Sequence, residues 1–394
     1  MNTKKFFVLI STLVLSGLFF NRLNSSVVSE SMIPLKLNTD CPPGFKKDSE
    51  NQCINKNLYL QYDVANAPGV GGLKTSLPKA RDGFSPQQID LGRYLFFDPV
   101  LSANGKIACA TCHQPEKGFS DGLASSLGIN DYSLKRGAPS LWNVAYLKLL
   151  YWDGRASSLE EQMQGPLFSK HEMGNTPEKL LKTLNSIDVY KHLFLQAFPD
   201  KNKGKSIVLD EIYLAITAFQ SSLISLNSKY DQYAHGHHKA LNENEITGLN
   251  VFRSFVARCA ECHTPPLFTN QQLAVIGVPE PHGKVFDPGA EVPFNEKSLR
   301  GGFKVPSLRN ITKTAPYSHS GVFKDLKEAI RFYTLGRGHA VPRSEKLTLH
   351  WHIWEPQLTE EEIDRLVDFL HTLTDESFLP KTPKKLPSQI QSNS

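Results

Sequence analysis

Methionine is scarce in this chain of 394 residues, where it occurs only at positions 1, 32, 163 and 173. No thioether side chain follows Met173, so the composition excludes a methionine of the C-terminal half as a ligand to a metal ion. Excess charge is lacking as well: the formal net charge is +5, and Lys4 and Lys5 carry part of it. A weakly basic surface of this kind gives no reason to expect a nucleic-acid partner.

Long hydrophobic runs are also missing. The extended apolar run from Phe6 to Phe20 is shorter than the roughly 20 residues that span a bilayer. Lysines precede it and the polar stretch from Asn21 to Ser26 follows, a pattern typical of a secretory signal peptide. No small-x-small cleavage site follows, so an uncleaved N-terminal membrane anchor stays open. We therefore predict an exported protein in which residues 1–31 are a signal peptide or an anchor.

Cysteine is limited to six residues, and the first two flank a polar loop. The loop between Cys41 and Cys53 is rich in turn-forming residues, and it is too polar to be held together by burial. A disulfide between the two cysteines suits an exported protein. Residues 32–78 are therefore predicted to be a small disulfide-closed extension with a Gly/Pro-rich linker.

The other four cysteines belong to two Cys-x-x-Cys-His pentads, at 109–113 and 259–263. Each pentad is typical of covalent haem attachment, because two thiols add to the porphyrin vinyl groups and the next imidazole becomes the proximal iron ligand. A zinc half-site or a thioredoxin-like pair is the alternative, but it leaves both histidines unexplained. The predicted attachment residues are Cys109, Cys112, Cys259 and Cys262, with His113 and His263 as axial ligands. Two c-type haems, which are assembled outside the bacterial cytoplasm, imply redox work in the periplasm.

Helix signals dominate the remainder of the chain, and no convincing run of alternating strands is present. Four helix starts are marked by a cap residue, at Ser85-Pro86, Thr176-Pro177, Asn242 and Thr359. A largely apolar helix is expected at residues 210–226. The sequence thus predicts a mainly α fold with two cytochrome c-like haem domains, residues 79–240 and 241–379. The tail at 380–394 lacks apolar periodicity and is predicted to be disordered.

The segment after the first pentad contains no histidine that could be a second ligand to the first haem iron. An iron that only carries electrons usually has two protein ligands, whereas one that handles a small oxidant needs an open position. No histidine lies between His113 and His171, so we predict a five-coordinate first iron that is ready to bind peroxide. His171 and Met173 stay open as alternative ligands.

Several short blocks of the chain are shared with one known family. The blocks are Leu91-Gly92-Arg93, Phe97-Asp98-Pro99, Gly118 to Gly122, Arg136 to Asn143, Trp152 to Arg155, Glu160 to Gln162, Gly165-Pro166, Glu172-Met173, Phe303 to Asn310 and Thr314 to Gly321. Through them the segment from Phe84 to Leu373 resembles the bacterial di-haem cytochrome c peroxidases, and within these the MauG-like branch that oxidises protein side chains. The resemblance implies that His113 holds the peroxide-binding haem and His263 the electron-transferring haem.

The resemblance also implies how each iron is ligated on its far side. In classical members a histidine occupies the glycine-rich loop after the first haem and must be released by reduction. Ile129 stands at that place, which implies that no reductive activation is needed. Tyr333 stands where the MauG-like branch has a tyrosine ligand to the second haem. The alternative is a core tyrosine, because Leu326, Ala329 and Ile330 share its helical face.

Further residues take their roles from the same resemblance. Glu172 is expected to shuttle a proton during O–O cleavage, Pro166 to line the same distal pocket, and Trp152 to bridge the two haems. The ordinary alternatives are an exposed loop carboxylate for Glu172 and a buried aromatic for Trp152. The basic residues expected to organise haem propionates or the domain interface are Arg155, Arg309 and His319.

The family holds calcium between its domains through an asparagine side chain and backbone oxygens. Thr314 and Pro316 match the backbone positions, but Gly137 replaces the asparagine. The resemblance therefore implies a calcium site weakened by the loss of one ligand.

Together these residues predict an oxidoreductase, a di-haem peroxidase that reduces hydrogen peroxide with electrons relayed through the second haem. The electron donor is expected to be a small cytochrome or cupredoxin, or side chains of a partner protein. The alternative is a non-enzymatic di-haem electron carrier or redox sensor, in which both irons are six-coordinate.

Overall fold

The computed structural model describes residues 35–57, 59, 77–200, 206–336, 338–351, 353 and 355–389. These residues belong to the compact unit that begins at Leu35. The predicted signal peptide or anchor at 1–31 lies outside the described residues, and so does most of the predicted linker. Within the described part, no helix combines the length and the apolar character needed to cross a bilayer.

The fold is mainly α, as predicted. The helices are α1 (Pro86–Phe97), α2 (Cys109–Cys112), α3 (Leu159–Gln162), α4 (Gln164–Phe168), α5 (Pro177–Asn185), α6 (Asp188–Ala197), α7 (Leu209–Ser221), α8 (Lys229–Ala234), α9 (Glu243–Phe252), α10 (Cys259–Cys262), α11 (Glu291–Phe294), α12 (Leu326–Leu335) and α13 (Glu360–His371). The strands form two antiparallel pairs, β1 (Phe45–Lys47) with β2 (Cys53–Asn55) and β3 (Leu273–Val275) with β4 (Gly302–Lys304). Strands this short are too brief to show an alternating pattern in sequence.

The N-terminal extension is closed by the predicted disulfide between Cys41 and Cys53. The N–H of Cys53 donates to the carbonyl of Phe84, 2.7 Å away. The side-chain amide of Asn55 donates to the hydroxyl of Tyr146 at 2.6 Å. These contacts attach the extension to the helices that follow it.

The first helical core is built on the crossing of α1 and α7. α1 begins at the predicted cap, because Ser85 and Gln88 satisfy each other's backbone N–H groups in a capping box. The crossing point is Gly92, where a Cβ atom would lie 1.8 Å from the carbonyl oxygen of Ala215. Only glycine lets the two backbones come this close.

The long apolar helix is shorter than predicted. α7 ends at Ser221, whereas the prediction ended it at Leu226. Leu223 and Leu226 are buried although they lie outside the helix. The apolar character of the segment therefore continues past the end of the helix, and for this reason the prediction placed the end too far along the chain.

The same helix crossing recurs in the C-terminal half, between α9 and α13. Both helices begin at the predicted caps, Asn242 and Thr359, each completed by a glutamate three residues later. At Gly248 a Cβ atom would lie 1.9 Å from the carbonyl oxygen of Arg365. The two halves are thus organised around equivalent close contacts.

An internal repeat without gaps relates residues 137–166 to residues 304–333. The equivalent residues Asn143 and Asn310 both have left-handed backbones, with φ of 60° and 57°. Isolated antiparallel bridges also fall at equivalent positions, Leu150 with Ala156 and Tyr317 with Phe323. The regions that follow the two pentads are therefore copies of one arrangement.

Part of the C-terminal tail makes specific contacts. Leu386 packs against a buried aromatic cluster that contains Phe96. The backbone N–H and the hydroxyl of Ser388 donate to the carboxylate of Asp98 at 3.2 and 2.7 Å. The predicted disorder therefore does not apply to residues 381–389. Leu386 and the carboxylate of Asp98 hold this segment in place, although its sequence has no apolar periodicity.

Candidate active site

The two pentad histidines have the same local environment. Each follows a one-turn helix, α2 or α10, and its ring nitrogen Nδ1 faces a backbone carbonyl. The distance is 2.8 Å from His113 to the oxygen of Phe119 and 3.1 Å from His263 to the oxygen of Phe268. Because a carbonyl only accepts, Nδ1 carries the proton and Nε2 keeps a lone pair for a metal. Burial lowers the pKa of both histidines, which favours the neutral ligand form.

The surroundings of the pentad cysteines do not favour the thiolate form that dithiol redox chemistry uses. The cysteines form no disulfide, and burial raises the pKa of Cys109, Cys112 and Cys259 to about 12. A redox-active pair needs a lowered thiol pKa. The buried thiols beside a neutral imidazole fit covalent haem attachment instead.

A large, mostly apolar cavity surrounds the second pentad. It is lined by Cys259, Cys262 and His263, and Tyr333 faces the same space. Apolar side chains that complete its wall include Phe252, Leu308, Leu326, Ile330, Leu366 and Leu370. Two thiols, an imidazole and an apolar wall around one space fit a covalently attached haem, and the phenol of Tyr333 borders the same space.

Tyr333 lies on the face of α12 that borders this cavity. Leu326, Ala329 and Ile330 line the cavity from the same face. Tyr333 is 40% exposed and lines this cavity. Its pKa is raised, chiefly by desolvation and further by the charges of the pentad cysteines.

Glu172 lies beside the first pentad. Its carboxyl group is partly buried, and this burial raises its pKa, although the charge of Arg155 opposes the shift. The thiol of Cys112 has a pKa raised mainly by burial, to which the charge of Glu172 adds. Cys112 Sγ lies 3.8 Å from the carbonyl of Leu127, and the same loop is bonded to the backbone of Glu172 through Ile129.

The loop after the first pentad is held against the segment that carries Glu172. The N–H of Ile129 donates to the carbonyl of Glu172 at 2.7 Å. At Gly128 a Cβ atom would lie 1.8 Å from the carbonyl oxygen of His171. The ring of His171 stacks on Tyr132 with a centroid distance of 4.0 Å.

Trp152 connects the two copies of the repeat. Its indole N–H donates to the carbonyl of Gly137 at 2.8 Å, and its own carbonyl accepts from the N–H of Lys304 at 2.7 Å. Gly137 and Lys304 are equivalent positions of the repeat. Trp152 also lines the cavity of the second pentad. The residue equivalent to Trp152 is His319, which is buried, stacks on Phe303 and contacts Glu280 at 2.9 Å.

The three basic residues predicted near the haems have different partners. Arg155 binds Asp153 at 2.8 Å and lies 3.4 Å from the ring centre of Tyr151. Arg309 is fully buried, and its guanidinium binds Asp231 and the carbonyl of Pro266. Its donors hold the loop that follows His263 against Asp231, and the expected role of Arg309 at a haem propionate or the domain interface stays a prediction.

The residues assigned to calcium lie together. Gly137, Thr314 and Pro316 all line the cavity of the second pentad. The carbonyl of Gly137 is occupied by the indole N–H of Trp152. Among the described residues, no group of three or more histidine, cysteine or acidic side chains is arranged to hold a metal ion.

Two residues of the site were not identified from the sequence. Tyr151 precedes the Trp152 block and has a left-handed backbone with φ of 64°, which is strained for an aromatic residue. Lys304 lines the second cavity, and burial lowers its pKa to about 8. The sequence places Lys304 inside a block shared with the family, but its burial depends on the tertiary structure.

Comparisons with known proteins show which family the chain resembles. Residues 86–239 match the family model for di-haem cytochrome c peroxidase. The methylamine utilization protein MauG of Methylophilus methylotrophus is 36% identical over 288 residues, which cover 73% of this chain and 82% of that protein. The cytochrome c551 peroxidase of Pseudomonas aeruginosa is 33% identical, over 74% of this chain and 79% of that protein. The crystal structure of a MauG-like protein associated with microbial copper homeostasis superposes with a TM-score of 0.70, at 31% identity over 79% of this chain and 97% of that chain.

The fold and the two pentad sites define an oxidoreductase that carries two covalently attached haems. The identity and the shared length of the relatives place the protein within this class. The chain belongs to the di-haem cytochrome c peroxidase family, and it is similar to the MauG proteins of that family.

Proposed function

We propose that this chain reduces hydrogen peroxide at the His113 site and receives electrons at the His263 site. Each turnover consumes one peroxide, two protons and two electrons and releases two water molecules. The bound haems supply the irons for peroxide reduction and electron transfer. Within that framework the protein provides the ligands, the proton donor and the path between the two sites.

This proposal rests on the contacts made by the residues near His113 that could otherwise supply a second protein ligand to the first haem iron. Ile129 occupies the loop position of the classical histidine ligand, and its N–H is bound to Glu172. The ring of His171 stacks on Tyr132, and the side chain of Met173 is buried in the first hydrophobic core. These contacts support the proposal that His113 would be the only side chain of the first site to hold its haem iron.

Glu172 is proposed as the proton donor for O–O cleavage. A general acid must hold its proton near the working pH. The burial that raises the pKa of Glu172 favours this protonated form. Pro166 is proposed to line the same pocket, and its carbonyl accepts from the N–H of Met173, next to Glu172, at 3.0 Å.

Tyr333 and Trp152 are proposed to serve the second site. The phenol of Tyr333 faces the same cavity as His263 and is proposed as its partner ligand. Trp152 borders that cavity and binds both copies of the repeat, which supports its role as the relay between the two sites. Arg155 and His319 are proposed to organise the surrounding charges.

The same proposal covers location, domains and electron donor. We propose export to the periplasm and two haem domains joined near residue 240. The electrons come from a small cytochrome or cupredoxin, or from side chains of a partner protein. A weak calcium site at Gly137, Thr314 and Pro316 is part of the proposal. An N-terminal membrane anchor is retained as the alternative to a cleaved leader.

One experiment tests the function directly. One equivalent of peroxide is added to the diferric protein while the absorbance of both haems is followed. We expect both spectra to change together and cyanide to bind one haem without prior reduction. A diferric protein that is inert to both reagents would instead support an electron carrier or redox sensor.

A further inference from the structure

Trp142 and Arg309 are equivalent residues of the internal repeat, but only Arg309 carries a charge. Each lies against the phenylalanine whose carbonyl faces Nδ1 of a pentad histidine. The ring of Trp142 meets the ring of Phe119 edge-on at 5.1 Å, and the guanidinium of Arg309 lies 5.2 Å from the ring centre of Phe268. Both phenylalanines have left-handed backbones, with φ of 60° and 54°. The first pentad histidine is therefore supported by a neutral residue at this position, and the second by a charged one.

The charge of Arg309 is paired with a buried carboxylate. The guanidinium donates to both oxygens of Asp231, at 2.6 and 2.7 Å, and both side chains are fully buried. It also donates to the carbonyl of Pro266 at 2.8 and 2.5 Å, in the loop between His263 and Phe268. A buried ion pair is stable only when its remaining hydrogen-bonding groups are satisfied. The position of this loop therefore depends on how Asp231 is held.

The N-terminal extension supplies a donor to this carboxylate. The hydroxyl of Tyr59 donates to Oδ1 of Asp231 at 2.5 Å, and both residues are buried. Ser228 donates to Oδ2 through its backbone N–H at 2.7 Å and its hydroxyl at 2.8 Å. Burial alone would raise the pKa of Asp231, but Arg309 and these donors hold it below its usual value. Tyr59 also belongs to a buried cluster with Leu267, in the loop that follows the second pentad.

Tyr59 lies outside the segment that resembles the family. It precedes Phe84, where that segment begins, and its hydroxyl contacts a residue 172 positions further along the chain. The same extension is bound to the N-terminal half through the contacts of Cys53 with Phe84 and of Asn55 with Tyr146. One short segment therefore connects the N-terminal half with the loop of the second pentad.

We propose that Tyr59 is a positioning residue for the second haem. Its hydroxyl holds the Asp231 carboxylate in the orientation in which Arg309 fixes the loop that orients His263. Hydrogen bonds around a metal ligand tune the potential of the metal, and a donor to a carboxylate partly neutralises its charge. The first site has no equivalent of this pair, because Trp142 is neutral. The inference rests on the proposed function, in which the second pentad holds the electron-transferring haem.

The test is Tyr59→Phe in the full-length protein with both haems attached. The substitution keeps the ring and its packing and removes only the hydroxyl. Spectroelectrochemical titration measures the midpoint potential of each haem. The potential of the second haem should fall, because a carboxylate that has lost a donor acts more strongly as a negative charge and favours the ferric state. The potential of the first haem should stay at the wild-type value.

Tyr213→Phe is the matched control, since it removes a hydroxyl from a tyrosine buried in the first hydrophobic core. Both potentials of this variant should match the wild type. An unchanged second potential in Tyr59→Phe would overturn the inference. An equal shift of both haems in that variant would also overturn it, because it would indicate a general loosening of the fold.

Ser228→Ala covers the case in which Tyr59→Phe does not fold. It removes a second hydroxyl that donates to Asp231, so the potential of the second haem should again fall. A wild-type potential in this variant would refute the link between the hydrogen bonds of Asp231 and the second haem. Failure of the proposed function looks different, because the wild-type protein would then be inert to peroxide while the potentials of its haems could still be compared.

Discussion

Glu172 shows how its surroundings set the function of a single carboxyl group. Its neighbours in sequence are those of an ordinary exposed loop. In the folded chain its carbonyl accepts from the N–H of Ile129 at 2.7 Å, in the loop whose Leu127 carbonyl lies 3.8 Å from Cys112 Sγ. The position of Glu172 in space, which its immediate sequence does not reveal, makes it a candidate proton donor.

Glu172→Gln should lower peroxide turnover by about 10²- to 10⁴-fold, the usual contribution of a general acid. The substitution keeps the shape of the side chain and removes its proton. Because burial raises the pKa of Glu172, wild-type activity should persist to a higher pH than an ordinary glutamate permits and should fall as the pH rises through that pKa. Steady-state peroxide kinetics across pH measure both effects.

The control for this variant is Glu178→Gln on α5, where the glutamate is exposed. It should leave turnover and its pH profile unchanged. Haem content and cyanide binding should be equal in all three proteins. If Glu172→Gln turned over peroxide like the wild type, Glu172 would not be the proton donor.

At the scale of elements, helix starts were predictable and helix contacts were not. The caps at Ser85, Asn242 and Thr359 act through hydrogen bonds within three residues, so a local pattern is sufficient to locate them. The close crossings at Gly92 and Gly248 involve residues more than a hundred positions away. Nothing near either glycine indicates which helix it contacts.

Replacing Gly92 or Gly248 by alanine should destabilise the protein by about 3 kcal/mol, at the upper end of the usual cost of overpacking. The added methyl group would overlap a carbonyl oxygen of the facing helix, which is backbone and cannot rotate away. Denaturant unfolding followed by circular dichroism measures the change in the free energy of unfolding.

Thr247→Ala is the control on the same helix, since Thr247 is exposed. Its effect should be within the usual range for surface substitutions, about 0.5 kcal/mol in either direction. Equal stability of Gly248→Ala and Thr247→Ala would mean that α9 and α13 are not in backbone contact.

At the scale of the whole molecule, a largely buried ion-pair network joins the first copy of the repeat to a loop of the C-terminal half. Arg136 binds Asp153 at 2.7 Å and Asp287 at 2.7 and 2.9 Å. Burial alone would raise the pKa of Asp287, but the hydrogen bonds and charge of Arg136 hold it below its usual value. The ionised carboxylate of Asp287 therefore stabilises the folded state.

Asp287→Asn should lower the free energy of unfolding by roughly 2 kcal/mol near neutral pH, the scale of a hydrogen bond to a charged group. A lowered folded-state pKa means that this stabilisation is complete above the unfolded value of about 3.9 and is lost as the pH falls through the folded value. The stability of the wild type should therefore drop more steeply than that of the variant below about pH 4. Denaturant titrations at a series of pH values provide the comparison.

The exposed ion pair of Asp188 and Lys191 supplies the control. Asp188→Asn should leave stability unchanged, because pairs in solvent contribute little. Parallel acid profiles for wild type and Asp287→Asn would show that the Arg136 network does not stabilise the fold.

The sequence by itself determined the features whose physical cause is local. Haem attachment follows from adjacent cysteines and a histidine, helix starts follow from caps, and the absence of methionine after Met173 is a matter of composition. The resemblance to a family then pointed to Glu172, Trp152 and Tyr333 as functional residues. Their surroundings still had to come from the structure.

Only the tertiary structure decided how distant residues meet. It brought the segment of Glu172 against the loop that follows the first pentad, and it placed Trp152 of the first copy in contact with Lys304 of the second. Few residues of the repeat are identical, so the equivalence is carried by backbone conformation, hydrogen bonds and packing between segments far apart in the chain. Those interactions form only when the helices cross, and for that reason no local pattern encodes them.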